Sequence, residues 1–292
     1  LAFQGYGTTD KTGEFKDVVR DGWKALLKMQ DPDGLFTSPG MGNHNHHFYS
    51  HGQALIAICE IYAMSLSADY PDPKQREIFK DAAQRAINYA VKTQDPQKGG
   101  WRYLPGNDAD TSVTGWLLMG LMSGKMAGLD VPESTLQKVT AYLDAAQQDG
   151  GATYAYRPGY GGVTAAVSAE GLLMRQYLGW DKNDERLVNG VRKILGYPMD
   201  PNDWKVYYWY YATQVCHHME GEVWNEWNKV MRQMLPENQI RKGPEEGSWE
   251  PALDEWGPQG GRLYITCFCC YMLEVYYRHM PLYDKIYEQK AK

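Results

Sequence analysis

Two kinds of apolar pattern alternate along the chain. In Phe15 to Met29 and in Arg76 to Lys92, apolar residues return every three to four positions against a polar stripe, which predicts helices with one face in water. Ser50-His51-Gly52-Gln53-Ala54-Leu55-Ile56-Ala57-Ile58 and Thr114-Gly115-Trp116-Leu117-Leu118-Met119-Gly120-Leu121 are apolar on nearly every side, which predicts helices enclosed by other helices. Two concentric helical rings satisfy both patterns.

The turns repeat as well. A helix ends in Gln, the chain crosses a Gly-rich turn, and an aromatic residue follows: Gln30 to Gly34 and Phe36, Gln94 to Gly99-Gly100-Trp101, Gln147 to Gly150-Gly151 and Tyr154, and Gln239 to Gly247 and Trp249. The spacing of roughly 45 to 65 residues suits one helix hairpin with a long loop. Pro32, Pro71, Pro73, Pro96, Pro105, Pro132, Pro158, Pro198 and Pro201 punctuate the helices, and Asp110-Thr111-Ser112 supplies a predicted N-cap ahead of an apolar run. Strand signals are poor, with no series of alternating runs joined by Asn-Gly or Asp-Gly turns. The fold class expected is all-α, with residues 1–292 as a single domain. Leu1 to Gly7 reads like the tail of a helix, so a truncation at the N-terminus is expected.

Composition narrows the functional classes. Hydrophobic residues make up 43% and charged residues 23% of 292, as in an ordinary globular protein with a large core. A net charge of −6, with 30 scattered Lys and Arg, excludes a nucleic-acid surface. No stretch reaches the ~20 apolar residues of a membrane span. The 22 Tyr and 10 Trp against 6 Phe give many rings a polar handle, fit for packing or for cavity walls. Of five Cys, three crowd at Cys267, Cys269 and Cys270, and free buried thiols are expected.

The Gln to Gly-Gly-Trp spacing resembles the repeat of squalene and hopene cyclases and of protein prenyltransferase β-subunits, most of all at Gln94 to Trp101 and from Gly260 to Arg278. With Asp110-Thr111-Ser112-Val113 and Tyr207 to Gln214, the chain more closely resembles a group of bacterial, chiefly planctomycete, prenyltransferase/squalene oxidase repeat proteins, whose family name carries no assigned reaction. The resemblance implies an α/α toroid of about five to six helix hairpins. It also implies what is missing. Prenyltransferases place a zinc-binding His just before a Thr-Cys-aromatic-Cys run, where this chain has Ile265, and the upstream Asp-x-Cys partner is absent. Cyclases use the middle Asp of Asp-x-Asp-Asp-Thr as acid, where this chain has Ala109, with Asn107 at the first position and Asp108 as a neighbouring substitute.

Candidate chemistry therefore lies elsewhere. His44, His46, His47 and His51 crowd within eight residues and are candidate metal ligands, bases or helix caps, although no metal or other cofactor is predicted. His51, Asp110 and Glu170 are the catalytic candidates; Glu170 sits among small and apolar residues and needs a partner from another hairpin. His47, Tyr103, Tyr207, Tyr210, His217, Arg262 and Tyr264 are the ligand-binding candidates. The expected function is a scaffold that binds a ligand, isoprenoid-like or glycan, or a protein partner, in or near its central cavity. The alternative is an enzyme acting on an isoprenoid or a carbohydrate through a non-standard His, Asp and Glu site.

Overall fold

A computed structural model describes residues 15–37, 46–66, 72–106 and 108–278. They are mostly helical: α1 (Lys16–Lys28), α2 (His47–Ser65), α3 (Pro73–Lys92), α4 (Thr111–Met126), α5 (Glu133–Ala146), α6 (Ala165–Tyr177), α7 (Glu185–Leu195), α8 (Val206–Met219), α9 (Gly221–Glu237), α10 (Gly257–Leu273) and the short α11 (Val275–Arg278). Between α5 and α6 runs a small sheet of β1 (Gln147–Gln148), β2 (Thr153–Arg157) and β3 (Tyr160–Val163), in that order. Contacts divide the chain into two compact units, Leu1–Ala146 with Tyr156–Gly161, and Gln147–Ala155 with Gly162–Lys292. The hairpin tip between β2 and β3 thus belongs to the first unit.

Within each unit the two predicted kinds of helix separate. In the first, α2 packs against α4, with α3 and α5 flanking. Every residue of α4 from Thr111 to Leu121 is buried, whereas α3 buries only a stripe of Phe79, Ala82, Ala83, Ala86, Ile87 and Ala90. In the second, α8 lies against both α6 and α10, with α7 and α9 outside them. α6 is buried from Val167 through Gln176, while α7 buries only Leu187, Gly190, Val191 and Ile194. Layers of this kind bury helices that have no polar stripe to show to water.

The Gln turns are one structure used repeatedly. The amide after each Gln donates to the carbonyl before each aromatic: Asp31 to Leu35, Asp95 to Gly100 and Ile240 to Ser248, all at 2.9 Å. Gln94 Nε2 donates to Gly99 O at 2.8 Å and to Thr135 O at 3.0 Å on the next outer helix, as Gln30 does to Gly34 O and Ala82 O at 3.2 and 2.8 Å. The aromatic then ties the turn to the following inner helix through its backbone amide. Trp101 donates to Thr114 Oγ1 at 3.0 Å, Tyr154 to Ser168 Oγ at 3.2 Å, Trp249 to Thr266 Oγ1 at 3.4 Å and Phe36 to His51 Nδ1 at 3.1 Å. The Trp101 and Trp249 indoles each donate at 2.8 Å to a carbonyl near the end of the preceding outer helix, Ala90 and Leu235.

A further turn of this series escaped the sequence pattern. The stretch before α8 carries the buried Trp204 without a Gln or paired glycines, and there the Tyr208 hydroxyl reaches the Ile194 carbonyl at 3.1 Å in place of an indole. The sheet also departs from the sequence reading. Tyr154 and Ala155 are buried and Tyr156 and Arg157 half-buried ahead of the Pro158-Gly159 turn, and Gly159 takes the positive φ of 68° that the turn needs.

Candidate functional site

In the first unit, polar side chains gather at the N-terminus of α4. Asp110 caps that helix from an extended backbone, its Oδ1 accepting from the Val113 amide at 2.8 Å and from Ser112 Oγ at 3.0 Å. Oδ2 accepts from the Tyr156 hydroxyl at 3.1 Å, brought in by the hairpin tip. The carboxyl is fully buried, and burial pushes it above the ordinary carboxylate range against the pull of Val113, Ser112, Tyr156 and Arg102.

These bonds have a direction. Because Tyr156 gives its proton to Asp110, its oxygen must accept from Tyr103, whose hydroxyl lies 2.6 Å away. Ser112 likewise gives its proton to Asp110 and accepts from Tyr49 at 2.6 Å. Two tyrosine-ended chains thus run to one carboxylate, with the Tyr49 and Tyr103 rings 6.2 Å apart. The exposed His46 ring meets Tyr103 at 4.6 Å, and the Arg102 guanidinium lies over Tyr103 at 4.7 Å.

Beside this recess stands Asp108, paired with Lys98, with Arg102 Nη1 at 2.9 Å and with Arg157 Nη2 at 2.6 Å. Burial works against its ionisation, yet Lys98, the Ala109 amide, Arg102 and Arg157 outweigh it and hold the carboxyl down at about 2. Ala109 therefore stands between two carboxyls of different character. Asp108 is locked ionised, and Asp110 is buried and raised.

His51 has other work. Nδ1 accepts from the Phe36 amide, which leaves the proton on Nε2, facing the Ala86 carbonyl at 3.3 Å. Burial lowers its pKa to about 4. The ring therefore joins the turn to α2 and α3, at the repeat position that Thr114, Ser168 and Thr266 fill elsewhere, and its partners are not those of Asp110. His47 opens α2 half-buried, with its Nδ1 inside the protein and no hydrogen-bond partner among the described residues. His44 lies outside the described residues.

The remaining candidates belong to the second unit. Glu170 is buried on α6, and the partner expected from another hairpin is Tyr207, whose hydroxyl donates to Oε1 at 2.8 Å; Tyr211 donates to Tyr207 at 3.3 Å. Phe268 centres a ring cluster with Tyr207 at 5.8 Å, Tyr210 at 5.2 Å and Tyr264 at 4.9 Å, in edge-to-face pairs that fill space. His217 stacks edge-on against Trp224 at 5.0 Å. Arg262 is occupied, bonding the Trp249 carbonyl at 2.9 Å and pairing with Glu245 and Glu250 at 3.0 Å each, so it braces the turn before α10.

Among the described residues, no three His, Cys, Asp or Glu side chains converge as a metal centre requires, and no helix is long and apolar enough to cross a membrane. Cys267 and Cys270 stand three apart on α10 with their thiols free, and burial raises both, Cys270 to about 11. Neither is a ready thiolate. Arg102, Tyr156 and Arg157 were not legible as site residues, though Tyr156-Arg157-Pro158-Gly159-Tyr160 carries the signal of a turn flanked by rings. No family model and no curated protein matches the chain.

Proposed function

We propose that this chain is a ligand-binding α/α toroid of the terpenoid cyclase-like kind, and that its ligand is a glycan held at the recess formed by Tyr49, Tyr103, Tyr156 and Asp110. The observation that carries the reading is the directed chain from Tyr103 through Tyr156 to the buried Asp110. A phenol that has given its proton inward presents lone pairs outward, and these accept from a sugar hydroxyl while its ring face packs on the sugar. Arg102 beside it supplies donors. An isoprenoid would leave these polar groups without partners, at a cost of about 1–3 kcal/mol each.

Calorimetric titration against neutral and acidic oligosaccharides and polyprenyl alcohols tests this. Oligosaccharide binding is expected, weakened roughly tenfold or more by Tyr103→Ala and only about fivefold by Tyr103→Phe, which keeps the ring. Binding of polyprenyl chains with no affinity for oligosaccharides would reject it.

A second reading, a carbohydrate-active enzyme, is favoured by the raised carboxyl of Asp110: once protonated it donates to Tyr156 instead of accepting, which reverses both hydroxyls of the chain so that Tyr103 gives a proton outward as Asp110 gives up its own. Its signature is oligosaccharide cleavage that Asp110→Asn abolishes while binding persists.

A further inference from the structure

Three cations meet one carboxylate at Asp108. Lys98, Arg102 and Arg157 are 46%, 28% and 24% exposed, whereas Asp108 itself is 17% exposed, so the charges reach solvent while their shared partner sits behind them. One anion cannot neutralise three cations. Even with Asp110 ionised and 3.5 Å from Arg102 Nε, one positive charge is left over, on a chain whose net charge is −6.

The donors are also in excess. Each guanidinium has five N–H groups. Arg102 spends Nη1 on Asp108 and also reaches the Tyr156 and Tyr103 hydroxyls, with its buried Nε 3.5 Å from Asp110 Oδ2; Arg157 spends Nη2 on the Asp108 carboxylate and keeps its other N–H groups for a ligand. Both guanidinia lie over tyrosine faces, Arg102 over Tyr103 at 4.7 Å and Arg157 over Tyr160 at 5.5 Å, and Tyr160 is 72% exposed. Stacking of this kind holds the planar forks in place before any ligand arrives, and planar forks match carboxylate and sulfate oxygens two at a time. Asp108 fixes the three heads together; it does not saturate them.

We propose that Lys98, Arg102 and Arg157 form a subsite for an anionic substituent, a carboxylate or a sulfate, on the sugar next to the one held at Tyr103, which makes the ligand an acidic oligosaccharide. The inference rests on the glycan reading above and adds the charge of the ligand to it. The free inorganic anion shares this chemistry and is separated by experiment.

The test is calorimetric titration of the whole chain with a uronic-acid oligosaccharide, with its carboxyl-reduced neutral counterpart, and with inorganic sulfate. The acidic oligosaccharide is expected to bind at least ~10-fold tighter than the neutral one at low salt, with the preference shrinking as salt rises. Arg157→Gln is expected to remove most of that preference. Because Arg157 also braces the hairpin tip, Lys98→Met, at a more exposed position, provides a second variant, expected to lower the preference without moving the thermal midpoint. Equal binding of acidic and neutral oligosaccharides overturns the anionic subsite and leaves the glycan reading standing. Binding of neither overturns both. Sulfate alone binding as tightly as the acidic oligosaccharide overturns the assignment to a sugar substituent.

Discussion

Side chains of one chemical kind serve opposite ends in this protein, and their surroundings decide which. Both nitrogens of His51 are committed to backbone groups of neighbouring elements. His51→Ala strands the buried Phe36 amide and opens a cavity, so a loss of about 3 kcal/mol is expected in denaturant unfolding. Thr stands at the equivalent place at 114, and His51→Thr is expected to recover part of that loss. If both variants unfold at the wild-type midpoint, the joint is not what holds the turn. Asp108 and Asp110, two residues apart, also diverge, one depressed by three cations and one raised by burial. Sequence reasoning could name the carboxyls but not tell them apart, because Arg157 comes from 49 residues further along (157 against 108) and its arrival depends on the hairpin.

At the scale of the element, the repeat turn fixes how closely an outer helix approaches. Gly34 and Gly99 hold φ of 101° and 80°, and a Cβ on either would collide with a carbonyl of the next outer helix, at Arg85 or Lys138. Gly128, at φ 79°, has open space around it. Alanine at 34 or 99 is expected to cost about 3 kcal/mol or more, against about 1 kcal/mol at 128, where only the backbone preference is lost; chemical denaturation of the three variants separates the terms. These turns were legible in the sequence because the Gln, the glycine and the ring each have a local job. The turn at Trp204 was not, since Tyr208 replaces an indole with a hydroxyl that comes from the helix beyond. The β2–β3 hairpin was missed for a different reason. Its Pro-Gly turn lies outside the Asn-Gly and Asp-Gly signals, and its strands, 5 and 4 residues long, show no alternation of buried and exposed positions that would set them apart from a loop.

For the molecule as a whole, buried imidazoles set the response to acid. His51 in the first unit and His218 in the second are held neutral by burial, down to about 4 and about 3. In the unfolded chain both protonate near 6.5. A depressed folded pKa gives stability that is complete above 6.5 and is lost as pH falls toward the folded value, at about 1.4 kcal/mol per pH unit for each group. Asp108 extends the loss below about pH 4, while the raised carboxyls of Asp110 and Asp254 work the other way. The urea midpoint is therefore expected to fall steadily from pH 7 to pH 4.5, and a flat profile would contradict the burial of both rings. Helix class and the alternation of buried and amphipathic helices were readable because they are written in local periodicity. The location of the site was not, because it depends on which loop meets which helix end.

Tyr156 and Arg157 have a consequence in time. Asp110 waits 46 residues for the hydroxyl that completes its hydrogen bonding. A chain made from its N-terminus has α4 and α5 available to dock before either hairpin side chain exists, so the helices of the first unit can assemble while its recess is still unfinished. Scaffold comes first and the recess second. A nascent chain that has emerged only as far as α5 holds the first unit's helices without Tyr156 and Arg157, and the eleven residues that follow complete the recess (157 against 146).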